Sequence, residues 1–279
     1  MSTTSSNPMA GACDCHVHIY ELERYPLAGT ATFAPPQASW AQYAAVQRSL
    51  GLTRAVLVQP TGYGFDNRCL LEALTLADGA ARGIVVIRPD TPAAELQAMH
   101  DAGVRGVRFM MIPGAGGLLG WGDLEGLAAR IAEFGWVINL QLDGRALPDY
   151  AAKLRALPCK LSLDHTGKFL EPVTPEHAAF RSLLELLDGG NTWVKISAPY
   201  ETSRVGPPHY DDVSALAQAL AAAHPERCLW ASNWPHPNRK PVPDDHAMLD
   251  LLSRWAPDPA VRRTILVDNP ASLYGFDTI

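Results

Sequence analysis

The chain has 279 residues, 47% of them hydrophobic and 19% charged, a balance that supports a large core and excludes wholesale disorder. A formal charge of -6 argues against the basic surface that nucleic acid or an anionic membrane requires, which leaves a small molecule as the expected partner. There is no apolar run of about 18 residues and no basic-then-apolar start; the five cysteines at 13, 15, 69, 159 and 228 form no CxxC pair, so a cytoplasmic chain with reduced, mostly buried thiols is expected.

In chain order, short β-branched or apolar runs predict eight strands: Cys13–His18, Arg54–Gln59, Ile84–Arg88, Val104–Phe109, Trp136–Leu142, Lys160–Asp164, Trp193–Ser197 and Cys228–Asn233. Amphipathic stretches with start and stop signals lie between them. Ser39 precedes WAQYAAVQRSL and Gly51 follows it, and Thr91 precedes a run that stops at Gly103. One helix per strand, with no GxGxxG turn, predicts an α/β fold of the (β/α)8 TIM barrel type rather than a doubly wound sheet. No repeat or linker divides the chain, so residues 11–279 are expected to form a single domain after a flexible tail over 1–10. The loop after the first strand, GGLLGWG at 116–122 and NRKPVPDDH at 238–246 would roof the mouth of the barrel.

Side chains alternate along a strand, and the face toward the helices must be apolar. In the first strand this sends Cys13, Cys15 and Val17 outward and Asp14, His16 and His18 inward. Val56 and Val58 go outward with Gln59 inward; Val107 and Phe109 outward with Gly106 and Arg108 inward. On the fifth strand Ile138, Leu140 and Leu142 face the helices while Asn139 and Gln141 face in, and on the seventh Val194 and Ile196 face out while Lys195 and Ser197 face in. His16, His18, Gln59, Arg108, Gln141, His165, Ser197 and Asn233 then gather at the carboxyl ends of the strands, where barrel enzymes place their active sites. A single inward Gln or Ser reads equally well as a hydrogen-bonded core residue. Imidazoles and a guanidinium converging together, at several kcal/mol per unpaired group, point to a site.

Three segments carry a resemblance: DCHVH in the first strand, LDHTGKF around His165 and WASNWPHPN around Asn233. Together they resemble the amidohydrolase superfamily. VQPTGYGFDN at 58–67, GVRGVRF at 103–109 and KISAPYETSR at 195–204 look like the branch containing 2-pyrone-4,6-dicarboxylate lactonase and the D-galactarolactone isomerases, from about residue 11 to the carboxyl end. The resemblance implies a metal held by the His-x-His pair, two middle-strand residues and an eighth-strand Asp that activates water. This sequence departs from that pattern, with Asn139 and Gln141 on the fifth strand and Asn233 where the Asp would stand. The expectation is therefore no metal and no other cofactor, although His16, His18 and His165 could still hold a divalent ion weakly.

A carboxamide cannot take a proton from water, and general base catalysis is typically worth about 10²–10⁴-fold, so hydrolysis would suffer at Asn233. Attack by a hydroxyl of the bound substrate suffers less, because intramolecular positioning can supply an effective molarity of about 10⁵ M or more. The expected activity is metal-independent isomerisation of a sugar-diacid (aldarate) lactone, such as D-galactaro-1,5-lactone to the 1,4-lactone. Alternatives are hydrolysis of a dicarboxylate lactone and a non-catalytic carboxylate-binding relative. The catalytic set is His165 as acid and base with His16, His18 and Asn233. Arg108 is the first carboxylate clamp, its structural alternative being an ion pair with Asp14. Arg204 is the second by resemblance, or else a solvated loop residue. Gln59, Tyr63, Gln141, Ser197 and Tyr200 complete the expected binding set, and His236 reads as a rigid turn residue.

Overall fold

The computed structural model describes residues 10–277; all but the last residue of the tail expected over 1–10 lies outside the described residues. Strands β1 (Cys13–Val17), β2 (Arg54–Val58), β3 (Ala81–Val85), β4 (Val104–Met110), β5 (Val137–Gln141), β6 (Lys160–Leu163), β7 (Thr192–Ser197) and β8 (Cys228–Ala231) form one parallel sheet in sequence order. A parallel bridge between Val17 and Trp234 closes it, with Asn233 N donating to His16 O at 3.0 Å and His18 N to Trp234 O at 2.8 Å. The result is a (β/α)8 barrel, in which closure removes every sheet edge.

Helices α1 (Trp40–Ser49), α2 (Arg68–Leu76), α3 (Ala93–Asp101), α4 (Leu124–Ala132), α5 (Leu147–Arg155), α6 (Ala178–Asp188), α7 (Asp211–Ala223) and α8 (Asp245–Trp255) cover the sheet, followed by short helices α9 (Pro259–Arg263) and α10 (Asn269–Tyr274). Ser39 caps α1 in a reciprocal capping box with Gln42, satisfying backbone donors that have no partner inside the helix. All five cysteines are buried and unpaired. Among the described residues no helix is long and apolar enough to cross a membrane.

Two strands depart from the expected reading. β3 starts three residues before the predicted Ile84 and stops at Val85, because the Asn67 side chain takes over the ladder, accepting from Val86 N at 3.1 Å and donating to Val86 O at 2.8 Å. Its Gly83 lies against α2, where a Cβ would come within 2.9 Å of Leu74, so a residue that looks like a strand breaker is what allows the close approach.

In β1 the register shifts between Asp14 and Val17, and this bulge breaks the alternation on which the inward set was built. Cys13 and Cys15 pack with Val56, Val58, Ile84, Val137, Trp193, Leu229 and Ala231 in one cluster, plugged from below by Leu273, Tyr274 and Phe276. That cluster is the lower barrel interior, so Cys13, Cys15, Val56 and Val58 face in rather than out. Asp14 faces the helices, accepting from Tyr43 Oη of α1 at 3.1 Å and from Ser232 N at 2.9 Å. Val107, Phe109, Ile138, Leu140, Val194 and Ile196 join the helix-side core as expected.

Candidate active site

At the carboxyl end of the strands lies a cavity of about 350 Å³. Of the expected residues, His18, Arg108, Gln141, His165 and Asn233 line it. Strained backbone aims several of them: His165, Thr166 and Lys168 have φ of 50°, 57° and 49°, and Asn233 and His236 have φ of 64° and 56°. For residues with a Cβ this conformation costs roughly 1–2 kcal/mol each, and it is concentrated in the turns after β6 and β8.

His165 Nδ1 donates to Ser197 Oγ at 3.1 Å, whose own hydrogen points to Lys195 O at 3.4 Å. That leaves Nε2 of His165 as the free nitrogen on the cavity side. Burial holds this imidazole well below its ordinary pKa, so it is a neutral base near pH 7. Ser197 is thus a support for His165 and does not line the cavity.

His16 lies one layer deeper, fully buried, its ring 4.8 Å from those of His18 and His165. Its Nε2 is 3.2 Å from His18 Nε2, and its Nδ1 is 3.2 Å from Asp164 Oδ1 and 3.1 Å from Lys195 Nζ. His18 Nδ1 donates to Val58 O at 2.7 Å. Burial first and Arg108 second pull His18 down to about 3, and burial likewise keeps His16 well below the usual range. Asp164, whose buried carboxylate is held well below its usual pKa chiefly by Lys195 and then by His16, is the acid of this cluster.

Arg108 is fully committed at its fork. Nη1 donates to Gln59 O at 2.8 Å and Nη2 to Gln141 Oε1 at 3.2 Å, while Nε has no partner among the described residues. It does not pair with Asp14, which the bulge has turned away. Gln59 faces the loop after β2, its amide donating to Asp66 O at 2.8 Å and Gly64 O at 3.3 Å. Tyr63 is buried behind Tyr20, with ring centroids 5.9 Å apart, and its hydroxyl accepts from Glu21 N at 2.9 Å. Tyr20 takes the expected place of Tyr63 on the cavity wall, and its hydroxyl has no partner there. Arg204 is 65% exposed at its side chain and paired with Glu171, so the second cationic wall is built by other residues. They are Lys168, after β6, and Arg239, after β8, both on Glu201, the latter at 3.0 Å. These two cations, with His165, hold the Glu201 carboxyl down at about 2 despite its burial.

Asn233 Nδ2 donates to Tyr200 Oη at 3.1 Å; Tyr200 donates to His236 Nδ1 at 2.7 Å, and His236 Nε2 donates to Asp245 Oδ1 at 2.9 Å. This relay fixes the amide, so that Asn233 presents its carbonyl oxygen away from Tyr200. His236 is therefore a buried relay member as well as a turn residue, and Tyr200 supports Asn233 from outside the cavity. Sequence parity had placed Lys195 inward without a partner; a buried ammonium demands a carboxylate, and that was the available signal for Asp164.

Ligand atoms of His16, Asp164 and His165 lie within 4.8 Å of one another, close enough to share an ion by spacing alone. Lys195 Nζ stands inside that group, 3.0 Å from Asp164 Oδ1, and already neutralises the one carboxylate. With the ammonium in place the donor set does not fit a resident divalent ion.

A family model described as Amidohydrolase matches residues 13–276. A 2-pyrone-4,6-dicarboxylate hydrolase of Comamonas testosteroni is 35% identical over 275 residues, covering 95% of this chain and 90% of that protein. A D-galactarolactone isomerase of Agrobacterium fabrum is 32% identical over 286 residues, covering 100% of this chain and 97% of that protein. An apo crystal structure from Agrobacterium tumefaciens is 31% identical with a TM-score of 0.90, covering 96% of this chain and 97% of that one.

Proposed function

The chain belongs to the amidohydrolase family, and from that premise we propose that it isomerises a sugar-diacid lactone, such as D-galactaro-1,5-lactone to the 1,4-lactone, by intramolecular acyl transfer without a metal. The similarity to a lactone hydrolase and a lactone isomerase supports a lactone as the substrate. Arg108, Lys168 and Arg239 against the single carboxylate Glu201 make the cavity wall net positive, which suits an anionic ligand.

The observation that carries the isomerase reading is Asn233. Where the resemblance implies a carboxylate base, this chain has an amide whose nitrogen is committed to Tyr200. Glu201, the one acidic residue on the cavity wall, is held by two cations at a pKa of about 2 and is a poor base. His165 Nε2 is left to move the proton. A substrate hydroxyl attacks the lactone carbonyl as its hydrogen passes to Nε2; the positive charge of Arg108 stabilises the oxyanion; the ring oxygen then leaves and takes the hydrogen back. No water is consumed and no net proton is released.

A second reading, hydrolysis with His165 as base toward water, is favoured by the same free Nε2 and by the hydrolase relative. Turnover of D-galactaro-1,5-lactone in ¹⁸O-labelled water, followed by NMR and mass spectrometry, separates the two. Unlabelled 1,4-lactone formed faster than in the enzyme-free control is the expected product. Labelled open-chain diacid in its place would overturn the isomerase reading.

A further inference from the structure

Lys195 takes no part in the proton transfers above, yet it is fully buried at the centre of the barrel. Its ammonium faces three acceptors: Asp164 Oδ1 at 3.0 Å, His16 Nδ1 at 3.1 Å and Asn139 Oδ1 in close contact. Three hydrogens meet three acceptors, and Asn139 Nδ2 closes the ring by donating to Asp164 Oδ2 at 2.9 Å.

The imidazole hydrogens follow from this. Since His16 Nδ1 accepts from Lys195, its Nε2 carries the hydrogen and donates to His18 Nε2 at 3.2 Å, and His18 in turn donates from Nδ1 to Val58 O. The other tautomer of His16 would set two lone pairs against each other at 3.2 Å and strip the ammonium of one acceptor. A hydrogen thus lies between the two Nε2 atoms, and an ammonium lies behind them.

We propose that the Lys195 ammonium is the resident cation of this barrel, holding Asp164 and His16 in place of a divalent ion, and that its removal opens a zinc site on those residues. Nitrogen and carboxylate donors are what zinc takes, and the positive charge that excludes it leaves with the lysine. Lys195 acts here as a positioning residue, through His16 and Asp164.

The test needs no substrate, so its outcome is separate from that of the lactone reading. The full chain, Lys195→Ala and Lys195→Ala combined with Asp164→Asn are dialysed against zinc and analysed for bound metal, with thermal melts in parallel. The parent should retain no zinc, Lys195→Ala about one ion per chain with a raised melting temperature, and the double variant none. Zinc retained by the parent, none retained by Lys195→Ala, or retention undiminished in the double variant would each overturn the proposal. If Lys195→Ala does not fold alone, it is refolded with and without zinc: native circular dichroism regained only with zinc supports the proposal, and no recovery with zinc overturns it.

Discussion

Mild acid should destabilise this protein, and the magnitude follows from three imidazoles. His16 and His165 are held well below 6.5 and His18 at about 3, in each case by burial first. The folded chain keeps them neutral while the unfolded chain protonates them below about pH 6.5, so their contribution is present above that pH and lost as the pH falls. Between about pH 7.5 and pH 5.5 each costs about 1.4 kcal/mol, roughly 4 kcal/mol for the three. Asp14 works in the other direction. Burial raises it from 3.8 to about 6, so folding favours its protonated form and regains about 1 kcal/mol over the same interval. The net loss is about 3 kcal/mol, a large share of a typical folding free energy of about 5–15 kcal/mol. Urea unfolding at the two pH values, with the slope checked for constancy, measures it. Equal stability within about 1 kcal/mol would mean that these histidines titrate normally in the folded protein, and the neutral tautomer chain would have to be abandoned.

Three further outcomes test the site. Asn233→Asp should raise hydrolysis relative to isomerisation by about 10² or more, measured as the ratio of diacid to 1,4-lactone; an unchanged ratio means that this residue does not separate the two reactions. His165→Ala should lower kcat by about 10²–10⁴ with an unchanged circular dichroism spectrum, and a loss below about tenfold would move the proton-transfer role elsewhere. Arg239→Ala should raise KM more than tenfold while Arg204→Ala stays within about twofold, since Arg239 lines the cavity and Arg204 is paired at the surface; the reverse order would place the ligand anion outside the cavity described.

Asn233 in place of an Asp, the His-x-His pair, the number and order of the strands and the outward faces of β4, β5 and β7 were all legible in the chain itself. Each is a local property: strand side chains repeat every two residues, and a face packed on helices must be apolar. What the alternation could not reveal is the bulge in β1, which turns Asp14 to the helices and Cys13 and Cys15 into the barrel, because the extra residue is absorbed by pairing with a strand far away in sequence. Tertiary structure also decided which polar groups reach the cavity. Gln59 and Tyr63 are drawn into holding loops, Arg204 is drawn to Glu171, and Lys168, Arg239 and Tyr20 reach the wall in their place. Lys195 was visible as an inward charge, but its carboxylate comes from the end of another strand, and only closure of the barrel brings the two within 3.0 Å. Periodicity specifies the face on which a side chain lies; which distant group meets it there is set by how the strands and loops converge.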